Sequence, residues 1–375
     1  VVKEERILEL LGRSPDRRIR AAGEKVVRGE RLDFDDGLAL AESEDLPRLG
    51  ALANLVRERK NGDAGFYIVN RYLNPTNLCW VDCQLCAWAR KPGEEGGYTL
   101  SIEEAVREAG KGWDGSVSEI HIVGGLHPTL PFSYYTGLLQ ALKGAFPGVH
   151  LKAWTMVELD WFARIAKKPL DETIAILKDA GMDSCPGGGA EIFAKRSHDL
   201  IARNKMSGER WLAVARAVHR QGIRTNATIL YGHVESPAER VDHLLRLRDL
   251  QDETGGFQAI VPLAFHPENT WLRDVPPTTG RLDLSIIALS RLLLDNFDHV
   301  KAYWIQLGPK ITELALGFGA DDVGGTYVHE EITHAAGAAT AEGMTRTEME
   351  ALIRRAGRRP VRTDTYYRPV ESAPR

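Results

Sequence analysis

Three of the four cysteines in this 375-residue chain stand close together, in Asn77-Leu78-Cys79-Trp80-Val81-Asp82-Cys83-Gln84-Leu85-Cys86. A disulfide framework spreads its cysteines to staple distant loops, so this clustering suits a metal site in a reducing compartment. Three thiolates on one short loop can ligate three irons of a cubane [4Fe–4S] cluster. The fourth iron then stays open to a small molecule, such as S-adenosylmethionine (SAM) chelating through its amino and carboxylate groups. Zinc wants four ligands and a ferredoxin-type cluster four cysteines. Cys185 lies far along the chain and reads as a small packed residue. From the cysteines alone, a zinc site and an electron-transfer cluster remain open.

Further candidates fall at the ends of expected strands. Gly124-Gly125-Leu126-His127-Pro128 offers backbone that a ligand can approach closely, and Gly187-Gly188-Gly189 before Glu191 offers the same. Glu158 is an acid placed to hold an ammonium or ribose hydroxyls. Lys195, Arg196 and Arg203 follow the glycine run, and Arg196 is the first choice to pair with a SAM carboxylate. In 223–230 the residues alternate, so Asn226 and Thr228 share one face and Ala227 and Ile229 the other. Asn226 and Thr228 are expected to point inward, Asn226 nearer the cofactor. His127, His233 and His266 share the expected strand-end face, which points to substrate contact by at least one; His233 and His266 are the candidates for substrate carboxylates.

The elements that must position these groups alternate from residue 66 onward. Strands are expected at 66–72, 119–123, 149–155, 182–185, 223–230, 257–263 and 300–305, with a weaker eighth at 326–329. Helix-start patterns lie between them: Ser101 with Glu104, Ser236 and Pro237 with Glu239, and later Thr345 with Glu348. Alternation of this length predicts an α/β fold, a (β/α)8 TIM-type barrel, with an open doubly wound sheet as the alternative. The catalytic face of a barrel is formed by the loops after its strands, which is where the cysteines and glycines fall. Pro262 predicts a bulge or strand end, because proline cannot donate to a ladder. The expected division is an N-terminal helical extension over 1–65, a barrel over 66–344, and a C-terminal helix and polar tail over 345–375.

Composition sets bounds on function. With 43% hydrophobic and 27% charged residues and a net charge of −4, the chain is an ordinary globular sequence with no basic excess to recruit nucleic acid. Val1 to Leu11 carries Lys3, Glu4, Glu5 and Arg6 and lacks the apolar core of a signal peptide. No apolar run approaches the roughly 20 residues of a membrane span. A soluble cytoplasmic protein is expected.

These strings together resemble a known family. The cysteine loop, Gly124 to Pro128, Pro186 to Phe193, Asn226 to His233, and Gly255 to Pro267 look like aminofutalosine synthase, a radical SAM enzyme of the futalosine route to menaquinone. The resemblance runs from about Asp33 to Tyr366, and the strings after the fourth, fifth and sixth strands are its specific part. It implies a radical SAM barrel in which Cys79, Cys83 and Cys86 ligate a [4Fe–4S] cluster. It further implies that SAM, cleaved and consumed, adds its 5′-deoxyadenosyl radical to 3-[(1-carboxyvinyl)oxy]benzoate. The products would be 6-amino-6-deoxyfutalosine, bicarbonate and methionine. It implies a reducing donor such as flavodoxin or ferredoxin, Leu85 near adenine, and Gly124-Gly125 near the methionine amine. Together with the strand-end reading, the expected cofactor-binding set is Leu85, Trp88, Gly124, Gly125, Glu158, Glu191, Arg196 and Asn226. The catalytic candidates are His233, His266 and Asn226. Trp88 stands where phenylalanine is expected, Gly324 where aspartate is usual, and Ala341 where proline is usual. The rival is the sister cyclase that forms cyclic dehypoxanthinyl futalosine. A zinc or electron-transfer protein is the remote alternative.

Overall fold

The computed structural model describes residues 4–326 and 330–370. Four helices come first: α1 (Glu4–Gly12), α2 (Arg17–Arg28), α3 (Phe34–Ala41) and α4 (Leu46–Asn61). Ten strands follow: β1 (Ala64–Ile68), β2 (Asn70–Leu73), β3 (Glu119–Ile122), β4 (His150–Ala153), β5 (Ser184–Cys185), β6 (Arg224–Tyr231), β7 (Phe257–Ala264), β8 (His299–Val300), β9 (Asp322–Gly325) and β10 (Arg359–Thr363). Strands β2 to β8 form one parallel sheet in sequence order, with helices between successive strands; this is the curled α/β sheet of a TIM-type barrel. The helix starts expected at Ser101, Ser236 and Thr345 each carry a full capping box. In each, the hydroxyl and the glutamate three residues on satisfy two otherwise orphaned amides.

The expected strand at 66–72 is two strands. On one side the β1–β2 stretch has β9, through β1; on the other it has β10 along 64–68 and then β3 along 70–73. The change of partner falls at Val69, whose carbonyl accepts from the Ser118 amide at 2.8 Å. The eighth position is taken by β9, joined to the end of β8 by a parallel bridge, Lys301–Asp322. It therefore lies just before the expected 326–329, of which 327–329 fall outside the described residues. The expected polar tail contains β10, which completes the free edge of β1, a pairing no local pattern announces. Pro262 lies inside β7 rather than at a bulge. Lys301 donates to the Ile260 carbonyl at 2.9 Å and Phe265 to the Tyr231 carbonyl at 3.0 Å, so the even-numbered residues of β7 face β8. Pro262 lies past the last β7–β8 pair, Ile260 with Val300, so it need not donate to that ladder.

The helical layer and the outer strand faces bury a continuous apolar core, which includes Ala227 and Ile229 of β6. At the strand N-termini, α4 sends the buried Arg57 toward the carbonyls of Gly62, Ala64 and Ala320. That end is thereby closed, and the open end is the one where the strands finish.

Candidate active site at the strand C-termini

The cysteine loop is held in place by backbone and by two cations. Cys79 N–H donates to the Arg90 carbonyl and Arg90 N–H to the Asn77 carbonyl, both at 2.9 Å. Lys91 Nζ donates to the carbonyls of Cys79, Trp80 and Val81 at 3.0–3.1 Å, and Arg90 caps those of Ala87, Trp88 and Ala89. The loop after β3 lies directly against it: Trp80 N–H donates to the Leu126 carbonyl at 3.1 Å and Gly125 N–H to the Thr76 carbonyl at 2.8 Å. A Cβ on Gly125 would sit 2.3 Å from the Leu78 carbonyl oxygen, so only glycine permits this approach. Gly125→Ala is expected to cost about 1–3 kcal/mol through this backbone clash and to lower the iron bound per chain. Denaturant unfolding and iron assay check it; full stability with full iron content would show that the approach is dispensable.

Cys79, Cys83 and Cys86 open into one cavity of about 360 Å³, which is also lined by Gly124, Gly125 and Gly187 to Gly189. Burial raises the Cys79 thiol and pushes Cys83 up to about 12, with the Lys205 ammonium opposing both. Thiolates in such a place need cations beside them, which a bound metal would supply. Leu85, Trp88, Glu158, Glu191, Asn226, Thr228 and His266 line the same cavity. Trp88 fixes its ring by donating from Nε1 to Glu331 at 3.3 Å.

Glu158 is buried and its oxygens are already engaged. Oε1 accepts from Gly124 N–H at 2.8 Å and Oε2 from the amide and hydroxyl of Thr155 at 2.7 Å each. Burial pushes its carboxyl up to about 7 against those bonds. Glu158 thus pins the glycine turn after β3 to the helix Met156–Ala166, in place of the free acid expected. Thr228 donates to the Gly187 carbonyl at 2.8 Å and holds the second glycine turn. Trp154, just after β4, and Glu191, in the loop that follows β5, both have positive φ, 68° and 48°. Such conformations cost about 1–3 kcal/mol each and cluster at functional sites.

Several expected site residues lie elsewhere. Arg196 does not line the cavity: its Nε donates to Glu239 at 3.0 Å, and Glu239 also caps the helix Pro237–Thr254. Lys195 pairs with Asp199 on the surface, and exposed Arg203 stays outside as well. His233 turns back on its own chain: Nε2 lies 3.1 Å from the Leu230 carbonyl, and Nδ1 accepts from Val234 N–H at 2.7 Å. His127 accepts from the amides of Thr129 and Leu130 and shapes a turn. Of the three histidines only His266 reaches the cavity, and its Nε2 is buried without a partner among the described residues. Cys185 is fully buried, 3.8 Å from the Met182 sulfur, and outside the cavity lining. Gly324 adopts φ 92°, which favours glycine over aspartate, and donates to the Asp322 carboxylate at 2.6 Å.

Sequence reasoning missed Lys205, whose ammonium is 2.5 Å from Glu191 in the cavity wall. It sits in a turn with no strand to mark its direction. It also missed Glu119, His121 and Lys152, although their alternation with Ile120, Ile122, Leu151 and Ala153 is the period-two signal that would have found them.

Residues 73–247 match the radical SAM superfamily, and residues 254–373 match the CofH/MqnC C-terminal region. The chain is 47% identical over 359 residues to the aminodeoxyfutalosine synthase of Thermus thermophilus, covering 95% of this chain and 96% of the relative. The chain belongs to the aminodeoxyfutalosine synthase family. A second member, from Streptomyces coelicolor, is 46% identical, with 92% of each chain covered. The fold is similar to that of methylornithine synthase (PylB), with a TM-score of 0.70 at 20% identity, covering 91% of this chain and 97% of that one. This family member is therefore a radical SAM enzyme of the futalosine pathway that forms a carbon–carbon bond, using a [4Fe–4S] cluster and SAM. Among the described residues no helix is long and apolar enough to cross a membrane.

Proposed function

We propose that Cys79, Cys83 and Cys86 ligate the [4Fe–4S] cluster at the cavity mouth, and that the substrate beneath it is 3-[(1-carboxyvinyl)oxy]benzoate. The products are then 6-amino-6-deoxyfutalosine, bicarbonate and methionine. The observation that carries this reading is the convergence of three thiols and two glycine turns on one cavity. When bound, the cluster supplies the electron that breaks the sulfur–carbon bond of SAM, whose adenosyl fragment adds to the substrate alkene.

The residues of the chain bind, orient and exclude water. Gly124-Gly125 present backbone to the methionine amine, in a position set by Glu158 and the Leu78 carbonyl. Lys205, held by Glu191, takes the SAM carboxylate in the place first assigned to Arg196. Leu85 and Asn226 flank the adenosyl group. His266, which lines the cavity, is the candidate to meet the enolpyruvyl carboxylate. Trp88, Phe265 and Ile332 wall the cavity with apolar surface, which keeps out water and stray hydrogen donors. A clustered-thiol site needs a reducing compartment, so the enzyme acts in the cytoplasm, with a flavodoxin or ferredoxin as electron donor.

Turnover of the reconstituted enzyme with SAM carrying ¹³C at the 5′ position tests the reading. The label is expected in aminodeoxyfutalosine, with bicarbonate released from the enolpyruvyl carboxylate. Stoichiometric labelled 5′-deoxyadenosine, with the benzoate left intact, would mean that the radical takes a hydrogen atom from another donor instead of adding to the alkene, and would overturn it.

A further inference from the structure

Away from the cysteines, the cavity reaches a charged layer inside the barrel. Tyr72, His121 and Lys152 stand side by side on β2, β3 and β4, and Asn70 and Glu119 form the rung below. Lys301, just after β8, faces the same space. Lys152 and Lys301 are only 5% and 9% exposed, yet both line the cavity. Lys152 Nζ is 2.7 Å from Glu119, and Lys301 Nζ is 3.1 Å from Asp322.

The acids that face these lysines are shared with other donors. Glu119 also accepts from Asn70 at 3.3 Å and from the Thr365 hydroxyl at 2.9 Å. Asp322 also accepts from the Tyr367 hydroxyl at 2.5 Å and from the Gly324 amide at 2.6 Å. An ammonium has three donors, and for Lys152 Glu119 is the one carboxylate in reach among the described residues. Burial, with Glu119 opposing and Lys301 adding to it, lowers the basicity of Lys152. Burial pushes the His121 imidazole down to about 3, with Glu119 opposing and both lysines adding to the shift, so the ring is neutral there. Two buried cations around one open space, each sharing its counter-ion, form an anion site that a further carboxylate completes.

The rest of this part of the wall is aromatic and aliphatic. The Tyr72 and His121 rings lie 4.6 Å apart, the Tyr72 and Tyr303 hydroxyls 3.4 Å apart, and Val261 and Leu263 line the same cavity. The reacting alkene belongs at the cysteine end, where SAM binds. The ring carboxylate, on the far side of the arene, is then directed at the lysines. Resting on the reading given under Proposed function, we infer that Lys152 and Lys301 bind the ring carboxylate of the substrate and so set the orientation of the arene beneath SAM.

Calorimetric titration of the oxidised holoenzyme, which does not turn over without reductant, provides the test. The probes are 3-[(1-carboxyvinyl)oxy]benzoate and its ring carboxamide, which differ only at the group in question. The wild type is expected to bind the carboxylate about 30-fold more tightly, in line with charge-assisted hydrogen bonds. That preference is expected to fall below about threefold in Lys152→Met/Glu119→Gln, which removes both charges of a buried pair, and in Lys301→Met, where Asp322 keeps Tyr367 and Gly324. A variant whose circular dichroism shows loss of fold is set aside and the other decides. Equal weakening of both ligands would mean a structural role only and would overturn the assignment, as would a wild type without the preference or variants that retain it. A wild type that binds neither ligand would instead overturn the functional reading itself, and this assignment with it.

Discussion

Cys79→Ala, Cys83→Ala and Cys86→Ala should each abolish SAM cleavage, whereas Cys185→Ala should keep the full iron content and most of the activity. Each of the three thiols lines the cavity, and the loop that carries them is fastened by Lys91, Arg90 and the Leu126 carbonyl. Removing one thiolate leaves a second iron without a protein ligand and opens the cluster to loss or conversion. Cys185 lies in the packed interior against Met182, and burial raises its thiol, so it stays a neutral apolar group. Iron and sulfide assays with electron paramagnetic resonance of the reduced protein separate the two sets. Loss of the cluster in Cys185→Ala would make it a fourth ligand and would remove the open iron on which SAM binding depends.

The second large effect is expected at Arg291, far from the cysteines. Its fully buried guanidinium donates to the Gly319 carbonyl at 2.8 Å and the Asp298 carbonyl at 3.1 Å, and it pairs with Asp321. Asp321 in turn meets His299 Nδ1 at 2.5 Å and the Val300 amide at 2.8 Å. This unit ties the end of the helix Gly280–Leu293 to β8 and the entry of β9. Arg291→Met leaves Asp321 buried without its main counter-ion and is expected to cost about 3–5 kcal/mol. Arg291→Lys should not restore it, because an ammonium cannot reproduce the fork. Arg216→Met, which breaks an exposed pair with Glu253, should cost at most about 1 kcal/mol. Burial raises the Asp321 carboxyl, but Arg291, His299 and the Val300 amide outweigh it and hold it below the ordinary value. A depressed carboxyl stabilises the fold above its unfolded value of about 3.9 and loses that contribution as pH falls through the folded value. The gap between wild type and Arg291→Met in denaturant unfolding should therefore narrow on acidification below about pH 4. A gap that stays constant would show that the guanidinium acts through the carbonyls alone.

What could be read from the chain was whatever depends on neighbours within a few residues. The cysteine spacing, the capping pairs at Ser101, Ser236 and Thr345, and the in–out alternation of Asn226 and Thr228 against Ala227 and Ile229 are local patterns. Local backbone geometry carries them directly into space. The strand–helix alternation followed from the same periodicities, as did the placing of the glycine turns on the face with the cysteines. The same logic, applied to more of β3 and β4, would have turned Glu119, His121 and Lys152 inward.

The tertiary structure decided the partners. Arg196 and Lys205 are both cations after the same glycine run, and nothing near either one says that Glu239 engages the first while Glu191 draws the second into the cavity wall. His233 and His266 both end strands, but one turns back on the Leu230 carbonyl and the other lines the cavity. Glu158 looked like a free acid at a barrel mouth until Gly124, from a different strand end, took one of its oxygens. Strand β10 becomes a strand because β1 has an open edge, and Asp322 faces Lys301 because β9 closes against the end of β8. Sequence by itself determined the family, most of the elements and the cysteine loop. Which charge meets which is a choice among competitors remote along the chain, and the energy of a buried charge depends on the partner that the fold brings to it.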